Sequence, residues 1–210
     1  MEEAQRKYLA GIAGRGIYFD RPLAPYTTIK TGGTADCLYE PYDPQTLSSV
    51  LAFLSAEGIP YLVIGNGSNL IVTDRGVRGV AIVIGKAMSG LSFEDGPAGV
   101  ILEAGAGLSL AALISRCREE GLSGLEFLSW IPGTVGGAVA MNAGAFGFET
   151  GRRVREIHAL SPQGRAEVFS AKGIEFGYRH CGLAAGTVIV SVVFGLDRAA
   201  PALVAEAVAE

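Results

Sequence analysis

A chain of 210 residues, 49% apolar and 18% charged, is long enough to bury a core as one large domain or two small lobes. Its 30 glycines gather in loops without a repeating period, which excludes a collagen-like or disordered chain, and a net charge of -4 with scattered Lys and Arg leaves no basic stripe for nucleic acid. Cys37, Cys117 and Cys181 are odd in number, widely spaced and without a C-x-x-C pair, so reduced thiols in a cytoplasmic protein are expected rather than a disulfide framework. No metal cluster is visible, and no apolar run approaches the ~18 residues of a membrane span or forms a secretory leader.

Residues 1–20 carry a weak helical pattern (Tyr8, Leu9, Ile12) that breaks at Gly14 and Gly16, and Arg21 to Pro25 then runs extended. Residues 1–22 are therefore expected to be an appendage. After a turn at Thr31 to Thr34, Ala35 to Glu40 reads as a strand. Asp43 and Pro44 form a helix start, a capping carboxylate followed by a proline at the first helical position, and Leu47, Val50, Leu51 and Leu54 recur at helical spacing until Gly58. Tyr61 to Ile64 and Val77 to Ile84 are strands, completing a small α/β lobe over 23–86.

From Leu91 the rhythm changes. Two strand runs flank Asp95-Gly96-Pro97, a hairpin signal, so a larger and mostly antiparallel lobe is expected over 87–198. Ser109 caps a helix through Leu113 and Cys117 that stops at Gly121, and strands follow at Val154 to Leu160, Ala166 to Phe169 and Thr187 to Leu196. Residues 199–210 begin an Ala-rich helix that nothing terminates, so they are expected to open a truncated C-terminal region. The fold class implied is α+β.

Two glycine-rich elements carry the chemistry. In the first, the strand ending at Ile64 breaks into Gly65, Asn66, Gly67, Ser68, Asn69 and Leu70, where small residues tolerate turn geometry and successive backbone amides form a concave anion site. A tight turn without a ligand is the rival reading. The second runs from Trp130 through Ile131, Pro132, Gly133, Thr134, Gly136, Gly137 and Ala138 to Asn142, Ala143 and Gly144. With almost no charge there until Glu149, backbone amides are its main polar equipment, which suits a large, partly apolar ligand carrying phosphates. Neither element contains G-x-x-x-x-G-K-[ST] or G-x-G-x-x-G, so a P-loop and a Rossmann dinucleotide site are both disfavoured.

Taken in order, Tyr26-Thr27-Thr28 with Gly32-Gly33, Gly65 to Asn69, Gly121 to Glu126, Ile131-Pro132-Gly133, Asn142 to Ala145 and Phe176-Gly177-Tyr178-Arg179 make a specific set. From about Leu23 to about Asp197 the chain resembles the UDP-N-acetylenolpyruvoylglucosamine reductase (MurB) family. The resemblance implies a two-lobed FAD-binding fold of the PCMH type, with noncovalent FAD between the lobes and a further C-terminal domain over the sugar-nucleotide substrate. It implies that residues 64–70 wrap the pyrophosphate, that Ile131 to Ala138 meet the ribityl and adenosine portions, that Asn142, Ala143 and Gly144 approach the flavin ring, and that Ile189 also lines the cofactor. The reaction implied is reduction of an enolpyruvyl ether to a lactyl ether, with NADPH as hydride donor, for peptidoglycan precursor synthesis. Arg179 is the matching catalytic cation: its planar fork can hold the substrate carboxylate where negative charge develops. The resemblance implies that Tyr178 is a substrate contact. The family's proton-donating Ser and assisting Glu have no counterpart in these residues.

Cys181 stands where the family often has Ser, and a buried structural thiol is expected there. His158 and His180 lack a nucleophile pattern and read as satisfied or solvated side chains. Phe127 and Trp130 are expected to anchor the second glycine element in the core, Glu126 to hold a loop, and Glu149 to pair with Arg152 or Arg153. Two alternatives stay open: a free-standing FAD-binding module, or another oxidoreductase of this fold acting on an alcohol or hydroxy acid.

Overall fold

The structure is a computed structural model describing residues 1–97 and 99–209. It divides into two compact units, one of Met1–Met88, Ala159–Glu167 and Ala184–Val188, the other of Ser89–His158, Val168–Leu183 and Ile189–Glu210.

The first unit opens with α1 (Glu3–Ala13), β1 (Ile17–Pro22), β2 (Thr34–Tyr39), α2 (Pro44–Ala56), β3 (Tyr61–Ile64) and β4 (Val77–Val83). Its sheet runs β1-β2-β4-β3, with β1 antiparallel to β2 and the other neighbours parallel. Strand β2 is buried at nearly every position, as a strand covered on both faces must be. Asp43 caps α2 by accepting the Thr46 amide at 2.7 Å, and the Leu47, Val50, Leu51 and Leu54 face is fully buried.

Residues 1–22 are not an appendage. Leu9 and Ala13 of α1 are fully buried, α1 packs on α2, and β1 extends the sheet by five paired positions. Only one side of β1 meets the core, so its sequence carries little apolar signal. Two later segments complete this unit. The Ser48 hydroxyl donates to the Gly164 carbonyl at 2.5 Å, and the Tyr61 hydroxyl donates to the Gly186 carbonyl.

The second unit adds β5 (Leu91–Gly96), β6 (Gly99–Gly105), α3 (Leu110–Glu120), β7 (Leu122–Ser123), α4 (Val135–Ala140), β8 (Gly144–Ala145) and β9 (Phe148–Glu149). It continues with β10 (Val154–Leu160), β11 (Ala166–Ser170), β12 (Phe176–Gly177), β13 (His180–Cys181), β14 (Val188–Arg198) and α5 (Pro201–Ala209). The expected antiparallel hairpin is β5 with β6, and the main sheet runs β11-β10-β14-β6-β5, with β7 beside the end of β14. Val192 and Phe194 of β14 face the core together with Val100, Leu102 and Ala104 of β6. Ser109 caps α3 through the Ala112 amide, and Gly121 ends it in the left-handed conformation.

Residues 199–209 belong to this packing. The Ala199 amide donates to Gly121, α5 lies against α3, and Val204 is buried; Glu210, the last residue of the expected helix, lies outside the described residues. Within the second glycine-rich element, residues 135–140 form α4 with Thr134 as its cap.

Candidate functional site

In the first unit, β3 delivers the chain into the Gly65 to Leu70 loop. Ile64 and Leu70 anchor its two ends in a cluster with Leu23, Leu38, Val72 and Ala81. Between them Gly67 is tucked inward at φ +64°, its carbonyl accepting the Thr28 amide at 3.1 Å. A Cβ on Gly67 would strike the Tyr26 carbonyl, so the loop lies directly on the Tyr26 to Thr28 segment. Thr27 locks that segment from below, buried and donating its hydroxyl to the Thr31 carbonyl at 2.8 Å. Asn66, Ser68 and Asn69 are exposed. This donor chemistry of short neutral amides and a hydroxyl beside backbone N–H groups fits a diphosphate.

In the second unit, the second glycine element is more committed than its composition suggests. The Val135 and Gly136 amides donate to the Leu108 and Ala106 carbonyls, each at 2.9 Å, and the Leu110 amide donates back to Gly133 at 3.1 Å. A Cβ on Gly136 would come within 2.8 Å of the Ala106 Cβ, so this glycine allows two backbone segments to meet. The Gly137 amide is taken by the Thr134 hydroxyl at 3.4 Å and the Ala138 amide by the Thr134 carbonyl at 2.8 Å. Pro132 and Gly137 are exposed, Ile131 and Gly133 half-buried, and Thr134 and Ala138 buried. Ile189 is a buried residue of β14.

Just beyond α4 lies a tight polar knot. Asn142 is buried at φ +40°; its Nδ2 donates to the Gly177 carbonyl at 3.0 Å and to Glu149 Oε2 at 3.1 Å, while its Oδ1 accepts the Gly151 amide at 2.9 Å. The Thr150 hydroxyl and amide both donate to the Ala143 carbonyl, at 2.6 and 2.9 Å. Gly144 starts the β8–β9 hairpin, exposed on the outside of this knot. Through Gly177 the knot reaches the β12–β13 hairpin, whose two-residue turn is Tyr178-Arg179. Tyr178 is 90% exposed, and Arg179 is exposed at φ +53°. The structure thus brings Asn142, Ala143, Gly144, Tyr178 and Arg179 into one neighbourhood. The contributions of Glu149, Gly151 and Gly177 were missed by sequence reading, because no motif marks a carboxamide bonding 35 residues away.

Several neighbours differ from expectation. Trp130 is 71% exposed and does not anchor the element in the core; Phe127 does, stacked on Phe148 with ring centroids 6.0 Å apart. Glu149 accepts from Asn142, and it is Asp197 that pairs with Arg153, at 2.9 Å. Glu126 holds its loop through the Gly124 amide at 2.7 Å. Cys181 is half-buried, and its thiol is pushed upward by burial. His158 Nδ1 lies 3.2 Å from the Ser191 hydroxyl, which donates to Glu103 at 2.7 Å. Among the described residues no group of three or more His, Cys, Asp or Glu is placed to hold a metal, and no helix is long and apolar enough to cross a membrane.

Residues 35–170 match the family described as FAD binding domain. The chain belongs to that family. Within the FAD binding domains, its similarity is to the reductases named from the motifs. It is 41% identical over 192 residues to the UDP-N-acetylenolpyruvoylglucosamine reductase of Syntrophus aciditrophicus, covering 91% of this chain and 61% of that protein. To the enzyme of the same name from Geobacter metallireducens it is 43% identical over 185 residues, covering 88% and 60%. The chain therefore spans about three-fifths of the length of these relatives.

Among solved structures, it matches UDP-N-acetylenolpyruvylglucosamine reductase from Thermus caldophilus at a TM-score of 0.75 with 31% identity, over 92% of this chain and 66% of that one. A VAO-type flavoprotein from Myceliophthora thermophila C1 matches at 0.71 with 12% identity, over 94% and 48%, which extends the likeness of fold alone. The α+β, PCMH-type FAD-binding fold expected from the motifs is borne out, as is the resemblance to the reductases.

Proposed function

We propose that this chain is the FAD-holding part of an NADPH-dependent reductase acting on UDP-N-acetylglucosamine enolpyruvate, in the cytoplasm, for peptidoglycan precursor synthesis. The observation carrying this reading is the Tyr178-Arg179 turn, fastened by the Asn142 carboxamide beside Ala143 and Gly144 in a chain 41% identical to a reductase of that name. All three cysteines are free thiols, which supports the compartment.

In the first unit, Ile64 and Leu70 fix the ends of a loop whose Gly65, Asn66, Gly67, Ser68 and Asn69 offer backbone and side-chain donors to the FAD pyrophosphate. In the second, Ile131, Pro132, Gly133, Thr134, Gly136, Gly137 and Ala138 present a low-charge surface to the rest of the cofactor. Their contribution is shape more than hydrogen bonding, because the amides of residues 135–138 are spent within the chain. Ala143 and Gly144 leave room for a planar ring, and Ile189 adds apolar lining. Bound FAD supplies the hydride-carrying chemistry between NADPH and substrate. Arg179 binds the enolpyruvyl carboxylate through its guanidinium fork, stabilising the charge that gathers there as the double bond is reduced. Tyr178 packs beside it on the substrate.

Titrating the purified chain with FAD, and following NADPH oxidation with the enolpyruvyl sugar nucleotide in the full-length reductase, tests the reading in two layers. Saturable FAD binding with substrate-dependent oxidation is expected, and Arg179→Ala should depress kcat with FAD affinity unchanged. Failure to bind FAD removes the cofactor assignment. FAD binding with normal turnover in Arg179→Ala removes the residue from the mechanism.

A further inference from the structure

The β12–β13 ribbon has only two paired positions, Phe176 with Cys181 and Gly177 with His180, and so short a hairpin does not hold its shape alone. Side chains from elsewhere in the second unit must fix it. Phe176 packs so closely on Gly151 that no Cβ fits there. Gly177, the residue immediately before the turn, gives its carbonyl to Asn142 Nδ2 at 3.0 Å. The carboxamide cannot be reversed without cost, because Glu149 Oε2 accepts its second N–H at 3.1 Å and the Gly151 amide donates to its Oδ1 at 2.9 Å. Both donor hydrogens and one acceptor site are thus used inside the protein. Asn142 is also buried, and its left-handed backbone is one that Asn tolerates better than most residues.

We propose that Asn142 is a positioning residue: it locks the Tyr178-Arg179 turn through the Gly177 carbonyl, and so sets the direction of the Arg179 guanidinium, while its own polar atoms make no contact with cofactor or substrate. The inference rests on the reading of Arg179 as the carboxylate-binding cation, but its structural half is testable without turnover. Glu149 serves it by choosing the orientation of the carboxamide, and Gly151 joins the carboxamide and Phe176 into one support.

Two variants separate the side chain from the backbone. Asn142→Gly accepts the φ of +40° and removes the carboxamide. Asn142→Asp keeps an acceptor for the Gly151 amide but sets a carboxylate against Glu149 and the Gly177 carbonyl. Limited trypsin digestion reads the turn directly, since Arg179 is itself an exposed cleavage site. Cleavage after Arg179, relative to cleavage after exposed Arg165, should rise about tenfold in both variants, as it follows the population of the opened turn. FAD affinity should stay within about threefold, and in turnover kcat should fall in the same sense as in Arg179→Ala, with the KM for NADPH unmoved.

Unchanged cleavage in the folded variants overturns the proposal, and so does an FAD affinity lost by about tenfold, with or without faster cleavage, since the side chain would then serve the cofactor. Should neither variant fold, amide exchange in the unaltered protein decides: a protected Gly151 N–H supports the lock, and one exchanging at an open-chain rate removes it. Normal turnover in Arg179→Ala with faster cleavage in the Asn142 variants would instead sink the role of Arg179 and leave the lock standing.

Discussion

Asp36 on β2 accepts the Gly79 amide of the neighbouring β4 at 2.9 Å, where the parallel register slips between the pairs Ala35–Val77 and Cys37–Val80. The carboxylate also meets Arg78 at 2.6 Å, but that guanidinium is largely exposed. A bulge removes a backbone partner from one amide, and here a side chain replaces it.

Asp36→Ala should therefore cost about 2 kcal/mol of unfolding free energy by leaving a buried amide unpaired, whereas Arg78→Ala should cost less than about 1 kcal/mol. Asp36→Asn should fall between them, because its carbonyl oxygen still accepts the amide. Denaturant melts of the three variants check the order; equal losses for Arg78→Ala and Asp36→Ala would make the ion pair the main term.

Tyr39 is fully buried, and its hydroxyl has no hydrogen-bond partner among the described residues. Burial pushes its ionisation upward, with Asp43 and Tyr42 adding to the effect. Tyr39→Phe should raise the thermal midpoint by removing an orphaned polar group worth about 1 to 3 kcal/mol. A fall in midpoint would show that the hydroxyl has a partner in solution.

Burial pushes the Cys37 and Cys117 thiols up to about 12, while Cys181 is half-buried. A thiol reagent at pH 8 should label Cys181 first and reach the other two only on unfolding. The same shift sets an alkaline limit. Above about pH 9 the unfolded thiols release protons that the folded ones keep until about 12, so the contribution of these two thiols to stability falls across that window and is constant below it. Melts of Cys37→Ala against the parent protein from pH 8 to 11 should show a shallower alkaline loss in the variant.

Gly67→Ala should weaken FAD binding for an internal reason. A left-handed alanine costs about 1 to 2 kcal/mol, and its Cβ would displace the loop from the Tyr26 carbonyl it rests on. A lower melting point should accompany the loss of affinity in an FAD titration. Unchanged stability with weakened binding would move the cause to the ligand side of the loop.

What could be read from the sequence was what is encoded locally. Asp43 before Pro44, Ser109 before Leu110 and Gly121 after Glu120 each mark a helix end within a few residues of the bond they make, and the alternating runs around Asp95 and Gly96 mark a hairpin. Strand β1 escaped because it buries little, and its place depends on pairing with residues 34–39. The second glycine element was visible, but its amides spent on Ala106 and Leu108 were not, since that bridge closes across about thirty residues with no side chain to announce it. Asn142 entered through the family motif as a neighbour of the flavin, while its three bonds, to residues 149, 151 and 177, follow only from the folded chain.

The late segments 159–167 and 184–188, seated on Ser48 and Tyr61, give the first unit a timetable. As the chain leaves the ribosome, residues 1–88 cannot reach their final packing until about a hundred more have been made. Until Gly186 emerges, Tyr61 lacks the acceptor it uses in the folded state. The unit that begins the chain is thus among the last parts to be finished, and a cut at residue 88 would leave it without the segments 159–167 and 184–188.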